Sequence, residues 1–530
     1  MSAQPTSPTP GPAGGRSERL LPILAIVLVF GFAVTKVTSF DAWVHLSLGR
    51  WMFEQGRIPR TNLLSYTEPQ RPTPDHQWLF QACLYGLERT VGITGATLAK
   101  ACVVAAAFAL VVATAGRKGA GPVLACVVVL VAAAAARFRF VLRPEVVGSL
   151  FLAAYLYFLE QWRRGRPRGL LWLLPLQVLW ANFHGSALLG YALPLAYAAG
   201  ESARALLACR LRGVAPRPPS RRDLAPLWAV AIALVPLTML NPNGVHLLTL
   251  PFTHAAKQSA TGLKELLQDR AAVAWADLGG RHLFFAVLGG VGLASLLGSV
   301  ARKDVTEIGL FAGLLWAAFH SERFIGVFAV AAAPIVAGNL AAMLAAVRDR
   351  KTGESLTQRQ QREQRKPRRG AFESCGNPQS AIRNPQSSIL AVLLLVLLGV
   401  LGVAQTAKEM PLGLGPAPGW FPVEEVAWLQ AHHPTGNLFN EFEHGGYVCW
   451  RARRPVFIDS RGMLAYAPSF VVAYVEAWTS REAWRQLMER YDVSVALVQR
   501  KPLKRMFDTA EGWALVHEGP LCSVYVREAR

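Results

Sequence analysis

Charge is scarce in this chain. Of its 530 residues only 17% are Asp, Glu, Lys or Arg, and acids are the rarer sign, 34 against 55 bases. Hydrophobic residues make up 52%, in repeated runs long enough to cross a membrane. Together these exclude an ordinary soluble enzyme and imply an all-α polytopic membrane protein. Cysteine is sparse as well: there are seven, with no CxxC pair and no Cys/His spacing typical of a metal site. Cys83, Cys102, Cys126 and Cys209 fall in or beside apolar runs, and no pattern links Cys449 to Cys522. No G-x-S-x-G turn is present to support Ser-His-Asp hydrolysis. The first apolar run, LLPILAIVLVFGFAV, has no small-x-small cleavage site after it, because Lys36, Thr38 and Phe40 stand there. It reads as a retained signal anchor.

What the chain does have is a net charge of +21. That value invites a nucleic-acid partner, but the bases lie in short clusters between apolar runs, as in loops retained in the cytoplasm. No nucleic-acid role is expected. Alternating the runs gives about eleven spans, near 20–39, 93–115, 120–136, 146–162, 169–183, 186–203, 224–240, 282–300, 305–319, 324–345 and 389–407. The basic loops GRKG, RRGRPR, CRLRGVAPRPPSRRD and ARKD then all fall on one side. This places the N-terminus in the cytoplasm and the C-terminal tail outside. Residues 1–19 read as a disordered tail, 20–345 as a membrane domain with a large first external loop over 40–92, and 346–388 as a basic disordered linker in which NPQS occurs twice. After the last span, 410–530 has the composition of a small α/β domain: VEEVAWLQAHH and SFVVAYVEAWTSREAWRQLMERY as helices, and GNLFNE, GGYVCW, PVFIDSR, VSVALVQR and CSVYVRE as strand-and-turn units.

With this topology the conspicuous polar residues gather at external ends. They are Asp41 and His45; Asp75 and His76; Arg137, Arg139, Arg143 and Glu145; Asn182 and His184; Asn241 and Asn243; and His320, Glu322 and Arg323. Polar groups near membrane depth are costly and point to function. Each group also has a plainer reading. Asp41 and His45 can simply open an interfacial helix whose Trp43, Leu46, Trp51 and Phe53 lie on the bilayer. NFHG and NPNG can be hairpin turns, and Glu322 can pair with a neighbouring arginine. The arginines of RFRFVLRPE run against the topological charge bias, and guanidinium groups there suit a phosphate or pyrophosphate. In the tail, Asn440, Asp459 and Arg461 stand out, with a structural turn and internal ion pair as the plainer alternative.

The stretches DAWVHLSLGRWMFEQGRIPRTNLLSYT, HQWLFQACLYGL, RPEVVGSLFLA, LWANFHGSALLG, LNPNG, LFNEFEHGGYVCW and VFIDSRG resemble a large group of bacterial multi-spanning proteins. More widely the chain resembles the GT-C superfamily of membrane glycosyltransferases, in outline the RgtA/B/C/D-like and protein O-mannosyltransferase branches. The resemblance implies a bacterial inner-membrane enzyme that moves a sugar from a polyprenyl-phosphate donor to an extracytoplasmic glycan, lipid or protein. It implies Asp41 as general base and Asp75 as an acceptor-positioning group. Arg137, Arg139, Arg143 and Arg323 would face the leaving phosphate. His45 and His184 would orient substrate or help hold a divalent metal, which nothing in the sequence requires. A second reading is a GT-C-shaped protein that binds lipid-linked glycan or a partner without chemistry. Gln77, where the group usually has Glu, and the lack of a second acid over 42–53 favour it. A transporter fits less well, since the ionisable residues gather at one face rather than at the midplane.

Overall fold

The computed structural model describes residues 16–210, 220–250, 272–298, 304–352 and 385–528. The N-terminal tail as far as residue 15 and most of the basic linker lie outside the described residues.

Each of the eleven apolar runs contains a helix. They are α1 (Arg16–Ala33), α3 (Trp78–Arg117), α4 (Pro122–Ala136), α5 (Glu145–Arg163), α6 (Leu173–Phe183), α7 (Leu188–Arg210), α8 (Arg221–Thr238), α9 (Leu283–Gly298), α10 (Val305–His320), α11 (Arg323–Thr352) and α12 (Pro385–Glu409); α2 (Asp41–Gln55) lies between the first two. By length and composition, the segments Trp78–Arg117, Pro122–Arg139, Arg323–Arg348 and Ile389–Glu409 are long and apolar enough to cross a membrane. The fifth run is shorter than expected as an α-helix, because Pro167–Trp172 forms a 3-10 turn before α6 (Leu173–Phe183). Helix α4 sits centrally, with α1, α9, α11 and α12 packed against it. Pro122 opens it at a position where a missing N–H costs nothing, and its run Ala132–Ala136 is buried, which lets neighbouring backbones come close.

Helix α3 is longer than the second expected span, because its first third, read as external loop, is helical. A kink at Gly92 (φ 68°, ψ 177°) separates the two parts, and this left-handed φ favours glycine. At the opposite end of the bundle from the tail domain, acids inside the helices neutralise the loop bases. Arg163 meets Asp304, Glu307 and Glu201, and Lys118 meets Glu160 at 2.9 Å.

The tail is an α/β unit. It holds α13 (Val423–His432), β1 (Asn437–Asn440), α14 (Gly445–Ala452), α15 (Pro468–Glu476), α16 (Arg481–Arg490), β2 (Val493–Val498), α17 (Lys501–Asp508), β3 (Trp513–Glu518) and β4 (Ser523–Arg527). The sheet order is β1-β2-β4-β3, with β1 parallel to β2 and the other pairs antiparallel. Two expectations fail here. GGYVCW is helix α14, and VFID makes only an isolated bridge through Val456 to Ser65. Cys449 and Cys522 are both buried and both free.

Helix α2 is also placed differently from expectation. Trp43 and Leu46 are buried rather than spread on a bilayer, and Trp43 meets the tail edge-on, 5.2 Å from Phe421 and 5.1 Å from Tyr447. Only Phe53 of the expected apolar face is well exposed, and Trp51 is half-buried under Arg57. The cause is glycine at the contact. A Cβ on Gly446 would lie 2.8 Å from Val44 Cγ2 and 3.0 Å from the Phe40 carbonyl oxygen, so only glycine lets α14 seat on α2. Arg50 then donates to the Trp450 and Cys449 carbonyls at 3.0 and 3.1 Å, near the C-terminus of α14 where a cation is favoured. The tail is thus fastened to the helix that carries Asp41.

Candidate functional site

The helix ends that face the tail domain enclose a cavity of about 520 Å³. Asp41 and His45 enter it from α2, one turn apart on the same face. His76 and Gln77 come from the segment before α3, Arg143 from the turn before α5, and Glu145 from the first position of α5. His184 comes from the extended residue that ends α6, Arg323 from the start of α11, and Ser460, Arg461 and Leu464 from the tail. Loops and element ends on a rigid frame are where sites are commonly built. Formal charges on the lining, with histidine neutral, are three arginines against two carboxylates (3 − 2 = +1), a balance that suits an anionic group.

The polar groups are held in place. Arg143 Nε lies 3.1 Å from Asp41 Oδ2 and donates to Ser39 Oγ at 2.8 Å. Arg139 does not line the cavity; it donates to Glu145 Oε1 at 3.1 Å and so holds that carboxylate from behind. The Ser186 backbone N–H donates to His184 Nδ1 at 3.2 Å, and the Ser186 hydroxyl lies 2.7 Å from the same atom. Nδ1 is therefore an acceptor, and the neutral ring carries its proton on Nε2. Burial lowers the His184 pKa, against the pull of Glu145, so the ring is a neutral N–H donor. Burial likewise lowers His45 to about 4, despite the opposing charges of Asp41 and Glu145.

Arg461 is supplied by the tail and locked there. Its backbone N–H and Nε both reach Asp459 Oδ1, at 3.0 and 2.8 Å, Nη2 reaches Asp459 Oδ2 at 2.6 Å, and Nη2 also donates to Asn62 Oδ1 of the first loop at 2.5 Å. Asp459 is fully buried; burial pushes its carboxyl up, but the Arg461 charge and bonds hold it below the usual range. Asp459 therefore positions Arg461 rather than facing the cavity itself.

A second, much smaller chamber of about 30 Å³ adjoins the cavity and shares His45, His76, Gln77 and Arg461 with it. Asp75 lies there. Burial pushes its carboxyl up to about 6, against the Gln77 N–H bond and the Arg461 charge.

Four expected site residues do other work. Arg137 is buried on the 3-10 turn after α4, where it donates to the Ala134 and Arg281 carbonyls at 2.8 Å and pairs with Glu409. Glu322 meets His282 Nε2 at 3.1 Å and Arg281 at 3.5 Å, which anchors the turn that presents Arg323. Asn182 receives the Trp78 indole N–H at 2.7 Å and donates to the Leu240 carbonyl at 2.8 Å, joining three segments. Asn440 braces the tail by donating to the Ile458 carbonyl and accepting from the Phe457 N–H. Ser39, Ser186 and Ser460 lie within two positions of Asp41, His184 and Arg461, but nothing in their residue type marks them in the sequence.

Among the described residues no group of three or more His, Cys, Asp or Glu is close enough to hold a metal ion. In the cavity Asp41 and Glu145 are each engaged by an arginine.

No family model matches the sequence, and no curated protein does. Solved structures do. The oligosaccharyltransferase of Archaeoglobus fulgidus in its apo form is 12% identical with a TM-score of 0.57, over 91% of this chain and 69% of that one. The same enzyme tethered to an acceptor peptide containing the NVT sequon gives 11% and 0.57, over 92% and 69%. ArnT from Cupriavidus metallidurans in the apo state is 13% identical with a TM-score of 0.53, over 96% of this chain and 97% of that one. The chain shares the fold of these two proteins.

Proposed function

We propose that this protein is an integral membrane glycosyltransferase that moves a sugar from a polyprenyl-phosphate donor to an extracytoplasmic acceptor. One observation carries the reading: Asp41, Arg143, His184 and Arg323, from four separate segments, line a single cavity with Arg461 of the tail. The shared fold supports the general class. In this reading the protein lies in the bacterial inner membrane, with its N-terminus in the cytoplasm and its tail domain outside.

The chemistry follows from the residues. The acceptor oxygen attacks C1 of the donor sugar, the C1–O bond to phosphate breaks, and its electron pair leaves with the phosphate. Asp41 takes the acceptor proton. Attack from the face opposite the phosphate inverts the anomeric centre. Arg143, Arg323 and Arg461 stabilise the charge that develops on the leaving phosphate, and His184 Nε2–H donates to an oxygen of the substrate. The donor phosphate also acts on the base. When it draws Arg143 toward itself, the Asp41–Arg143 pair loosens and Asp41 becomes free to accept a proton. The test is transfer from lipid-linked sugars by purified wild type and D41N; unchanged transfer in D41N would remove Asp41 as base.

The Asp41–Arg143 pair also favours a second reading, in which the cavity binds a lipid-linked glycan without reacting. Sugar turnover by the wild type would exclude it.

A further inference from the structure

Among the described residues, three buried side-chain atoms on residues that line the small chamber have no hydrogen-bond partner: Asp75 Oδ2, Gln81 Oε1 and His45 Nδ1. The Gln81 amide is oriented by its own bond. Its Nε2–H donates to Asp75 Oδ1 at 3.0 Å, which leaves Oε1 as the bare atom. Asp75 Oδ1 also receives the Gln77 backbone N–H at 3.1 Å, so that oxygen is satisfied and Oδ2 is not. Unpaired buried acceptors are costly, and a void of about 30 Å³, mostly apolar in its walls but with these polar atoms on its lining residues, has room for about one water molecule.

His45 connects the two spaces. It lines both, and on α2 it lies one turn from Asp41, where side chains four apart are neighbours. Its ring is buried against Phe80 at 5.3 Å, which fixes its plane. Among the described residues the only other formal charge on the chamber wall is Arg461 of the tail; the remaining polar lining residues are His45, Thr61, Thr73, His76, Gln77 and Gln81.

We infer that the small chamber is a water-holding outlet through which the acceptor's proton leaves Asp41, passing by way of His45 to Asp75. The inference rests on the glycosyltransferase reading of the main cavity. In each turnover the acceptor O–H bond breaks, its oxygen bonds to C1, and the proton moves to the Asp41 carboxylate. It then passes to one nitrogen of the neutral His45 ring, a proton leaves the other nitrogen for the chamber water, and Asp75 receives it before release to solvent. Asp41 is restored as a carboxylate beside Arg143 and no oxidant or further reactant is needed. The raised carboxyl of Asp75 and the neutral ring of His45 agree with these roles. Asp75 acts through His45 and Asp41, so it is a positioning and relay residue and not a catalytic one.

The test uses the full chain in lipid nanodiscs. Infrared difference spectra between pH 8 and pH 5 are expected to contain a protonated-carboxyl band in wild type that D75N lacks; identical spectra would overturn the proposal. D75N keeps an oxygen for the Gln77 and Gln81 donors, so loss of fold does not explain a missing band. In transfer assays D75A should lose roughly 10²-fold in kcat, the scale of one proton-transfer group, with donor KM unchanged and with recovery in added formate. Wild-type rates in D75A, or a loss that formate does not restore, would overturn the relay. If wild type moves no sugar, the functional reading and the relay both fail, and the infrared arm still decides whether Asp75 is the chamber's proton-binding group.

Discussion

Arg143 Nε stands 3.1 Å from Asp41 Oδ2, joining the turn before α5 to the start of α2 across the mouth of the cavity. The contact turns Oδ2 of Asp41 toward the guanidinium, so a ligand that draws Arg143 away also releases that oxygen. The account therefore predicts that Arg143 serves both phosphate binding and control of Asp41. R143A should lose roughly 10²–10³-fold in kcat, the scale for removing one charge-stabilising donor. R143K should recover only part of that, because lysine is a point charge and not a planar fork. Steady-state kinetics on both variants check this.

Gly446 makes the contact between α14 and α2. G446A places a Cβ 2.8 Å from Val44 Cγ2 and 3.0–3.1 Å from backbone atoms of Phe40 and Val44. A cost of about 1–3 kcal/mol is expected for such overpacking. Asp41 starts the same helix, so kcat should fall as well. Thermal unfolding together with protease sensitivity of the tail reads out the first effect, and transfer assays the second.

Arg137 separates structural from catalytic arginines. It is buried and paired with Glu409, so R137A should cost about 3–5 kcal/mol, as expected when one partner of a buried pair is removed. Donor KM in the surviving folded protein should hold. A raised KM with unchanged stability would return Arg137 to the phosphate site.

Asp75 gives a pH-dependent signature. Its folded pKa is raised to about 6, so between the usual carboxylate value and pH 6 the folded state binds more protons than the unfolded state. Its contribution is therefore favourable in acid and is lost as pH rises through that window. D75N should be more stable than wild type near pH 7.5, by on the order of 1–2 kcal/mol, and the difference should vanish below about pH 4. Melting temperatures of both proteins across that range test it.

Much of this molecule was legible in the sequence. The eleven helices follow from apolar runs, and His45, Arg143, His184 and Arg323 line the same cavity as Asp41, as their polar character near membrane ends suggests; Arg461, which stands out in the tail only by type, joins them there. What escaped is direction. Arg137 and Arg139 are two positions apart on a 3-10 turn, so one turns into the bundle toward Glu409 and the other toward Glu145. No pattern along the chain states that. Trp43 is buried against Phe421 and Tyr447, residues of the distant tail, and a tryptophan at a membrane edge looks the same whether lipid or a second domain covers it. GGYVCW is strand-like by its apolar and aromatic content, yet it is a helix, and its Gly446 packs closely on Phe40 and Val44 of the α2 segment.

The most direct test is transfer from a set of polyprenyl-phosphate sugars by wild type and D41N, purified in parallel and shown to have the same melting temperature. The account predicts turnover by wild type and a loss of at least roughly 10²-fold in D41N, as for removal of a general base. Equal turnover by the two proteins would contradict it.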